Sequence, residues 1–194
     1  MNAIFFDLDG TLLHTPDFAT LLTETFNEVR GEARDEWLEE YSESFFDAFW
    51  NCEPNPYRRG FDAFGDDAEA LAETLQRREI ESCYPTEGLE GDLDRLAEEY
   101  RLGVLTNGVP EVQRAKLDAS GLTGVFETVV SSYEVGAHKP DAEPFRTAEK
   151  RLPADGYAMV GDSDHDVEGA DGVGWAAHRY DGGGFGDLPE ALDW

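Results

Sequence analysis

Asp7 and Asp9 stand one residue apart, directly after the apolar run Ala3-Ile4-Phe5-Phe6 and just before Gly10. A buried strand that stops at two carboxylates, followed by a glycine that permits a tight reversal, puts one carboxylate at the strand tip and the other just beyond it. Such a pair suits a nucleophile working beside an acid/base. Acidic pairs also cap ordinary turns, so the meaning of this one depends on segments further along. Thr106-Asn107-Gly108 follows another apolar run, offering the Thr106 hydroxyl and the Asn107 backbone amide to an anion, or else simple turn chemistry. Lys139 lies in His138-Lys139-Pro140-Asp141, before a helix that Pro140 can begin. With Lys116 and Lys150 it is one of only three lysines, which marks it as functional: its ammonium would keep a nucleophilic Asp ionised and offset charge on an anionic group.

Gly161-Asp162-Ser163-Asp164-His165-Asp166 again sets carboxylates after an apolar strand. Acids decorating a helix N-terminus account for Ser163 and Asp164 better than for Asp162. Brought together, Asp7, Asp9, Asp162 and Asp166 would repel one another unless a cation sat among them. An all-oxygen site of that kind suits Mg²⁺, with water and substrate oxygens completing the shell.

Positioning these groups requires strands that end on one side of a sheet. A first strand is predicted over residues 3–7, and helical apolar spacing covers 17–30 and 32–50, broken by Gly31. Residues 51–60, with Pro54 and Pro56, read as a loop, 61–80 as a third helix or pair, and Pro85 with Gly88 as the return to the main domain. Helices then alternate with strands: helices over 89–100, 110–120, 141–151 and 164–170, strands over 102–106, 127–131, 157–161 and 175–178. This βαβ rhythm predicts an α/β fold, a doubly wound Rossmann-like parallel sheet whose crevice lies beyond the carboxyl ends of its strands. The catalytic core takes residues 1–13 and 87–194, and an α-helical cap takes 14–86. Gly182 to Gly186 read as a flexible connector to a short segment ending at Trp194.

The chain has 194 residues, 40% of them hydrophobic, enough for a packed core with an insertion. Its net charge of −28, from 43 acidic and 15 basic residues, argues against nucleic acid or an anionic membrane as partner. So acidic a surface with so little lysine suits a salty cytoplasm, as in a halophile, though acidic proteins also occur elsewhere. The start of the chain carries no basic, long apolar leader, so a cytoplasmic protein is expected. Cys52 and Cys83 are isolated and read as free thiols.

The segments around Asp7, Thr106, Lys139 and Asp162, in this order, resemble the four motifs of the haloacid dehalogenase superfamily. The phosphoglycolate phosphatase-like branch with a C1-type cap is the nearest pattern. That resemblance implies an Mg²⁺-dependent phosphatase acting on a small phosphorylated metabolite, with Asp7 as nucleophile through an aspartyl-phosphate and Asp9 as acid/base. It further implies Mg²⁺ held by the carboxylates of Asp7 and Asp162, by the Asp9 backbone carbonyl, and by Asp166 through water. Thr106, Asn107 and Lys139 would hold the phosphoryl group. In the cap, Arg58 and Arg59 are candidates for reading an anionic substrate or a solvated pair, while Tyr41, Phe45, Phe46, Phe49 and Trp50 read as cap core. His14 and His165 read as non-catalytic. A monomer or homodimer is expected. A 2-haloacid dehalogenase has no use for Asp9 or a metal, and a phosphonatase needs a cap lysine, absent before Lys116. A phosphoglucomutase-like transfer shares every motif, and a binding protein on the same fold is the alternative outside enzymes.

The charge gives the first prediction. Raising KCl from about 0.1 to 3 M shrinks the Debye length from roughly 10 Å to below about 3 Å. The melting temperature should rise across that range, most steeply within the first molar. Equal stability at both ends would show the acidity to be incidental.

Overall fold

The structure is a computed structural model that describes residues 1–192; Asp193 and Trp194, the end of the expected terminal segment, lie outside the described residues. The chain forms two compact units, one of Met1–His14 together with the chain from Tyr84 onward, the other of Thr15–Cys83. In the first unit, β1 (Ala3–Phe6) leads through the acidic turn to β2 (Leu13–His14). The second unit holds α1 (Phe18–Arg30), α2 (Asp35–Trp50), α3 (Pro56–Gly60), a 3₁₀ turn over Asp62–Asp67, and α4 (Ala68–Glu81). The chain then returns through β3 (Tyr84–Pro85), α5 (Leu89–Ala97), β4 (Arg101–Thr106), α6 (Pro110–Ala119), β5 (Thr128–Ser131) and α7 (Ser132–Val135). It ends through α8 (Ala142–Arg151), β6 (Tyr157–Gly161), α9 (Asp164–Val173) and β7 (Ala176–Arg179).

Five strands make one parallel sheet in the order β5-β4-β1-β6-β7. All four residues of the central strand β1 are wholly buried, as a parallel strand covered on both faces requires. Successive side chains alternate between those faces. Phe5 meets Trp175 at 5.3 Å between centroids, in a cluster with Phe145, Met159 and Val130. Phe6 turns the other way, to Phe126 at 6.4 Å and Phe185 at 5.3 Å. The short ribbon of β2 against β3, Leu13 opposite Pro85 and His14 opposite Tyr84, ties the outgoing chain to the returning one. His14 Nε2 lies 2.8 Å from the Thr86 hydroxyl, which itself donates to the Thr11 carbonyl at 2.7 Å. With its only hydrogen spent, that hydroxyl must accept from His14, giving the imidazole a structural role.

In the helical unit, Asp17 caps α1 by accepting the Thr20 N–H at 3.0 Å, and Gly31 ends the helix in the left-handed region at φ 79°. Of the aromatic residues expected in the core of this unit, only part is buried. Tyr41 and Phe45 are buried, Tyr41 lying 4.1 Å from Phe61 between ring centroids, whereas Phe46 and Trp50 are 43% and 50% exposed. Phe46 and Trp50 follow Phe45 and Phe49 by one residue, about 100° round the helix, which turns them off the packed face.

Three expectations change. The loop at 51–60 contains the short helix α3, which Pro56 opens. Pro140 does not begin a helix: the Asp141 N–H returns to the His138 carbonyl at 2.9 Å, closing a turn, and α8 starts at Ala142. The glycine-rich tail is anchored, because Phe185 and Leu188 are buried and α5 supplies their backbone partners. Asp92 Oδ2 accepts the Phe185 N–H at 2.7 Å, while Arg95 donates to the Phe185 and Leu188 carbonyls at 2.8 and 2.6 Å.

If the tail is part of the core, Phe185→Ala should cost about 3–5 kcal/mol of unfolding free energy, the usual loss for a buried Phe. Urea denaturation measures it, and an unchanged midpoint would return the tail to a loose connector.

Candidate active site

Strand register gathers the chemistry. Phe6 stands opposite both Val104 and Val160, so Asp7, Thr106 and Asp162 all emerge at the carboxyl end of the sheet within two residues of that level. The Asp7 N–H still donates to the Val160 carbonyl at 2.8 Å, which fixes the backbone of the acid at the strand tip.

Lys139 lies buried among these ends, its side chain 2% exposed. Its ammonium donates to Asp7 Oδ1 at 2.7 Å, to the Leu105 carbonyl at 2.8 Å, and to Asp166 Oδ1. Three hydrogens meet three acceptors, so the lysine acts on a crevice anion through its field. Asn107 fixes the backbone carrying it: its amide oxygen accepts the Lys139 N–H at 2.8 Å and its amide nitrogen donates to the Lys139 carbonyl at 3.1 Å.

Burial pushes the Asp7 carboxyl up to about 7; the Lys139 charge pulls it back, and Asp166 adds repulsion. Burial also works to lower the lysine, but the charges and hydrogen bonds of Asp7 and Asp166 overcome it and hold the ammonium above the ordinary lysine value. One buried cation therefore faces two buried acids, which carry a negative surplus once Asp7 ionises.

Asp7, Asp162 and Asp166 each bring a carboxylate oxygen within 4.8 Å of the others. Gly10 makes room for this: at φ +85° it takes a backbone form that favours glycine, and a Cβ there would fall 2.5 Å from Asp162 Oδ2. Asp162 is solvent-exposed and accepts from the Thr11 hydroxyl at 3.3 Å. Asp166 is fully buried, and its Oδ2 takes the Ser163 N–H at 3.0 Å and the Ser163 hydroxyl at 2.6 Å in a capping box. An oxygen-only donor set carrying surplus negative charge fits a hard divalent cation such as Mg²⁺.

The Asp9 carboxylate stands apart from that trio, in the grip of α6. Lys116 Nζ donates to its Oδ1 at 2.9 Å and Gln113 Nε2 to its Oδ2 at 2.7 Å. The same amide nitrogen reaches the Thr106 hydroxyl at 2.7 Å. Sequence reasoning passed over both α6 residues, although the lysine scarcity that singled out Lys139 applies equally to Lys116. Arg58 and Arg59 belong to the helical unit, where they pair with Asp62 and Glu69, and with Glu53 and the Pro54 carbonyl. His165 is an exposed residue near the start of α9.

A parallel sheet with two carboxylates just beyond its central strand and a cation-fitting acid cluster beside them is an arrangement suited to hydrolysis by carboxylates. The chain belongs to the haloacid dehalogenase-like hydrolase family, whose model matches residues 4–177. It is similar to a glyceraldehyde 3-phosphate phosphatase of Methanothermobacter thermautotrophicus, 29% identical over 91% of this chain and 84% of that one. A phosphoglycolate phosphatase of Cereibacter sphaeroides is 30% identical over 90% of this chain and 82% of its own. Among solved structures, a HAD phosphatase from Thermococcus onnurineus superposes with TM-score 0.66 at 26% identity, covering 94% of this chain and 91% of that one.

Removing the shared cation tests the electrostatics directly. Lys139→Met should destabilise the metal-free protein by about 3–5 kcal/mol, because it strands Asp7 and Asp166 as buried acids. Chemical denaturation at neutral pH gives the value, and wild-type stability in the variant would show that the acids do not depend on the ammonium.

Proposed function

We propose that the protein is an Mg²⁺-dependent phosphatase that hydrolyses a small phosphorylated metabolite through an aspartyl-phosphate on Asp7. The observation that carries this reading is the pairing of Asp7 with Lys139 at the tip of β1, next to a separately held Asp9. Asp7 Oδ attacks phosphorus, the phosphorus–oxygen bond of the ester breaks, and protonated Asp9 gives its proton to the departing alkoxide. Water then attacks the phosphoenzyme, Asp9 takes the proton from that water, and the Asp7–phosphorus bond breaks to release inorganic phosphate. Both carboxyl groups return to their starting states. The Thr106 hydroxyl and the Asn107 backbone amide would hold the phosphoryl oxygens, and Lys139 would keep Asp7 anionic.

Asp7 and Asp162 would hold Mg²⁺ directly, Asp9 through its backbone carbonyl, and Asp166, whose oxygens already accept hydrogen bonds, through water. When bound, the ion neutralises phosphoryl charge and orients the phosphorus for in-line attack. The phosphatase names of relatives that align along most of the chain support a phosphate monoester as substrate. Dehalogenases share the fold, as in the Pseudomonas syringae structure at TM-score 0.73 and 24% identity, but Asp9 and the acid trio suit phosphorus chemistry better than halide displacement. We assign the unit Thr15–Cys83 the role of a C1-type cap. Arg58 and Arg59 would read the substrate there by exchanging their exposed ion pairs, which cost little to break.

Turnover of p-nitrophenyl phosphate with and without Mg²⁺ tests the proposal. Wild type should turn over only with the metal, and Asp7→Asn should abolish turnover while the circular dichroism spectrum stays native. Full activity after exhaustive chelation, or in a verified Asp7→Asn protein, would overturn it.

A further inference from the structure

Gln113 occupies a position in the fold that the reaction as described does not use. Its side chain is 2% exposed, and its single amide nitrogen lies 2.7 Å from Asp9 Oδ2 and 2.7 Å from Thr106 Oγ1. A primary amide has two N–H donors, so both are spent, one on each partner. Without substrate, Lys116 pairs with Asp9 as a carboxylate, which accepts only, so the opposite flip would set the amide oxygen against it. The Thr106 hydroxyl, accepting from Gln113, keeps its own hydrogen to donate.

Two further features build this seat. Lys116, one helical turn along α6 and 2% exposed in its side chain, holds the other Asp9 oxygen at 2.9 Å. Gly108 clears the path of the Gln113 side chain, since a Cβ there would lie 2.7 Å from Gln113 Cδ. The face of α6 that bears Gln113 and Lys116 is therefore committed to two site residues, one beyond β1 and one at the end of β4.

We propose that Gln113 is a positioning residue that locks the Asp9 carboxylate to the Thr106 hydroxyl, so that proton donor and phosphoryl holder are set at a fixed spacing. The proposal rests on the phosphatase reading of Asp9 and Thr106. Phosphoenzyme formation needs the Asp9 proton on a departing oxygen while Thr106 holds the phosphoryl group, and one amide bridging both fixes that geometry before substrate arrives. A mis-set Asp9 hurts most when the leaving group is a poor one: an alkoxide needs its proton, whereas p-nitrophenolate leaves well without it.

Gln113→Met, close in length and lacking both donors, is the test, with Gly108→Ala as a second variant that keeps the glutamine but crowds it from its seat. kcat/KM is compared on p-nitrophenyl phosphate and on an alkyl phosphate such as glycerol phosphate, each with Mg²⁺. The loss on the alkyl ester should exceed the loss on the aryl ester by about 10- to 100-fold, a fraction of what a full acid supplies. Crystal structures of the variants should show the Asp9 carboxylate turned from Thr106. Equal losses on both esters, unchanged rates, or an undisturbed Asp9 would overturn the proposal. Should wild type hydrolyse neither ester, the phosphatase reading falls by that result, and the position of Asp9 in the variant crystals still decides the lock.

Discussion

The buried ammonium of Lys139, shared by Asp7, Asp166 and the Leu105 carbonyl, is the interaction on which the carboxyl end of the sheet depends. Asp7 comes from the central strand, Asp166 from α9 and Leu105 from β4, so a single point charge joins three elements that the backbone connects only distantly. Isolated, each buried acid would be expelled or protonated. Two carboxylates around one cation are tolerated because the geometry satisfies every hydrogen of the ammonium, and the surplus negative charge gives a divalent ion a reason to enter.

The strand ends were legible because parallel strands bury both faces and so reveal themselves as apolar runs, with polar residues clustering where each run stops. That logic found Asp7, Thr106 and Asp162 without tertiary information. Lys139 needed a different signal, the rarity of its type in a chain that avoids lysine. Gln113 and Lys116 lay outside both signals: they sit inside a helix with several charged neighbours, where polar residues at i and i+3 ordinarily face water. Only the register that brings β1 beside β4 shows that this helix face looks onto the Asp9 turn. The tail misled for the converse reason. Gly182 and Gly183 occupy positive-φ positions, which composition reads as looseness, while the anchors that hold the segment are Asp92 and Arg95, about ninety residues earlier.

The helical unit shows a similar limit. Helix periodicity identified its apolar rows, yet Phe45 and Phe46, adjacent in sequence and both near the Phe18 ring, differ in burial, one covered and the other exposed. Arginines of this unit, among them Arg58, Arg77 and Arg78, pair with its own acids, so ion pairs within the unit absorb part of a large negative charge. Such pairs are individually weak. They lower repulsion between neighbouring acids, and those of Arg77 and Arg78 with Glu28 and Glu24 also join α4 to α1.

The ribbon of β2 against β3 bears on how the chain reaches this state. Ala3 pairs with Arg101, so the central sheet cannot close until nearly a hundred residues have been spanned. Closing a flexible loop of that length is entropically costly and slows the search. The pairing of Leu13 with Pro85 and His14 with Tyr84 brings the two ends of the insertion together at its base. Once the helices between them collapse through their own contacts, the effective separation of β1 from β4 falls to residues 7–12 and 86–100, the stretches outside the ribbon. The insertion then behaves as a pre-closed bulge on the chain, and its length can change without lengthening the search that builds the sheet.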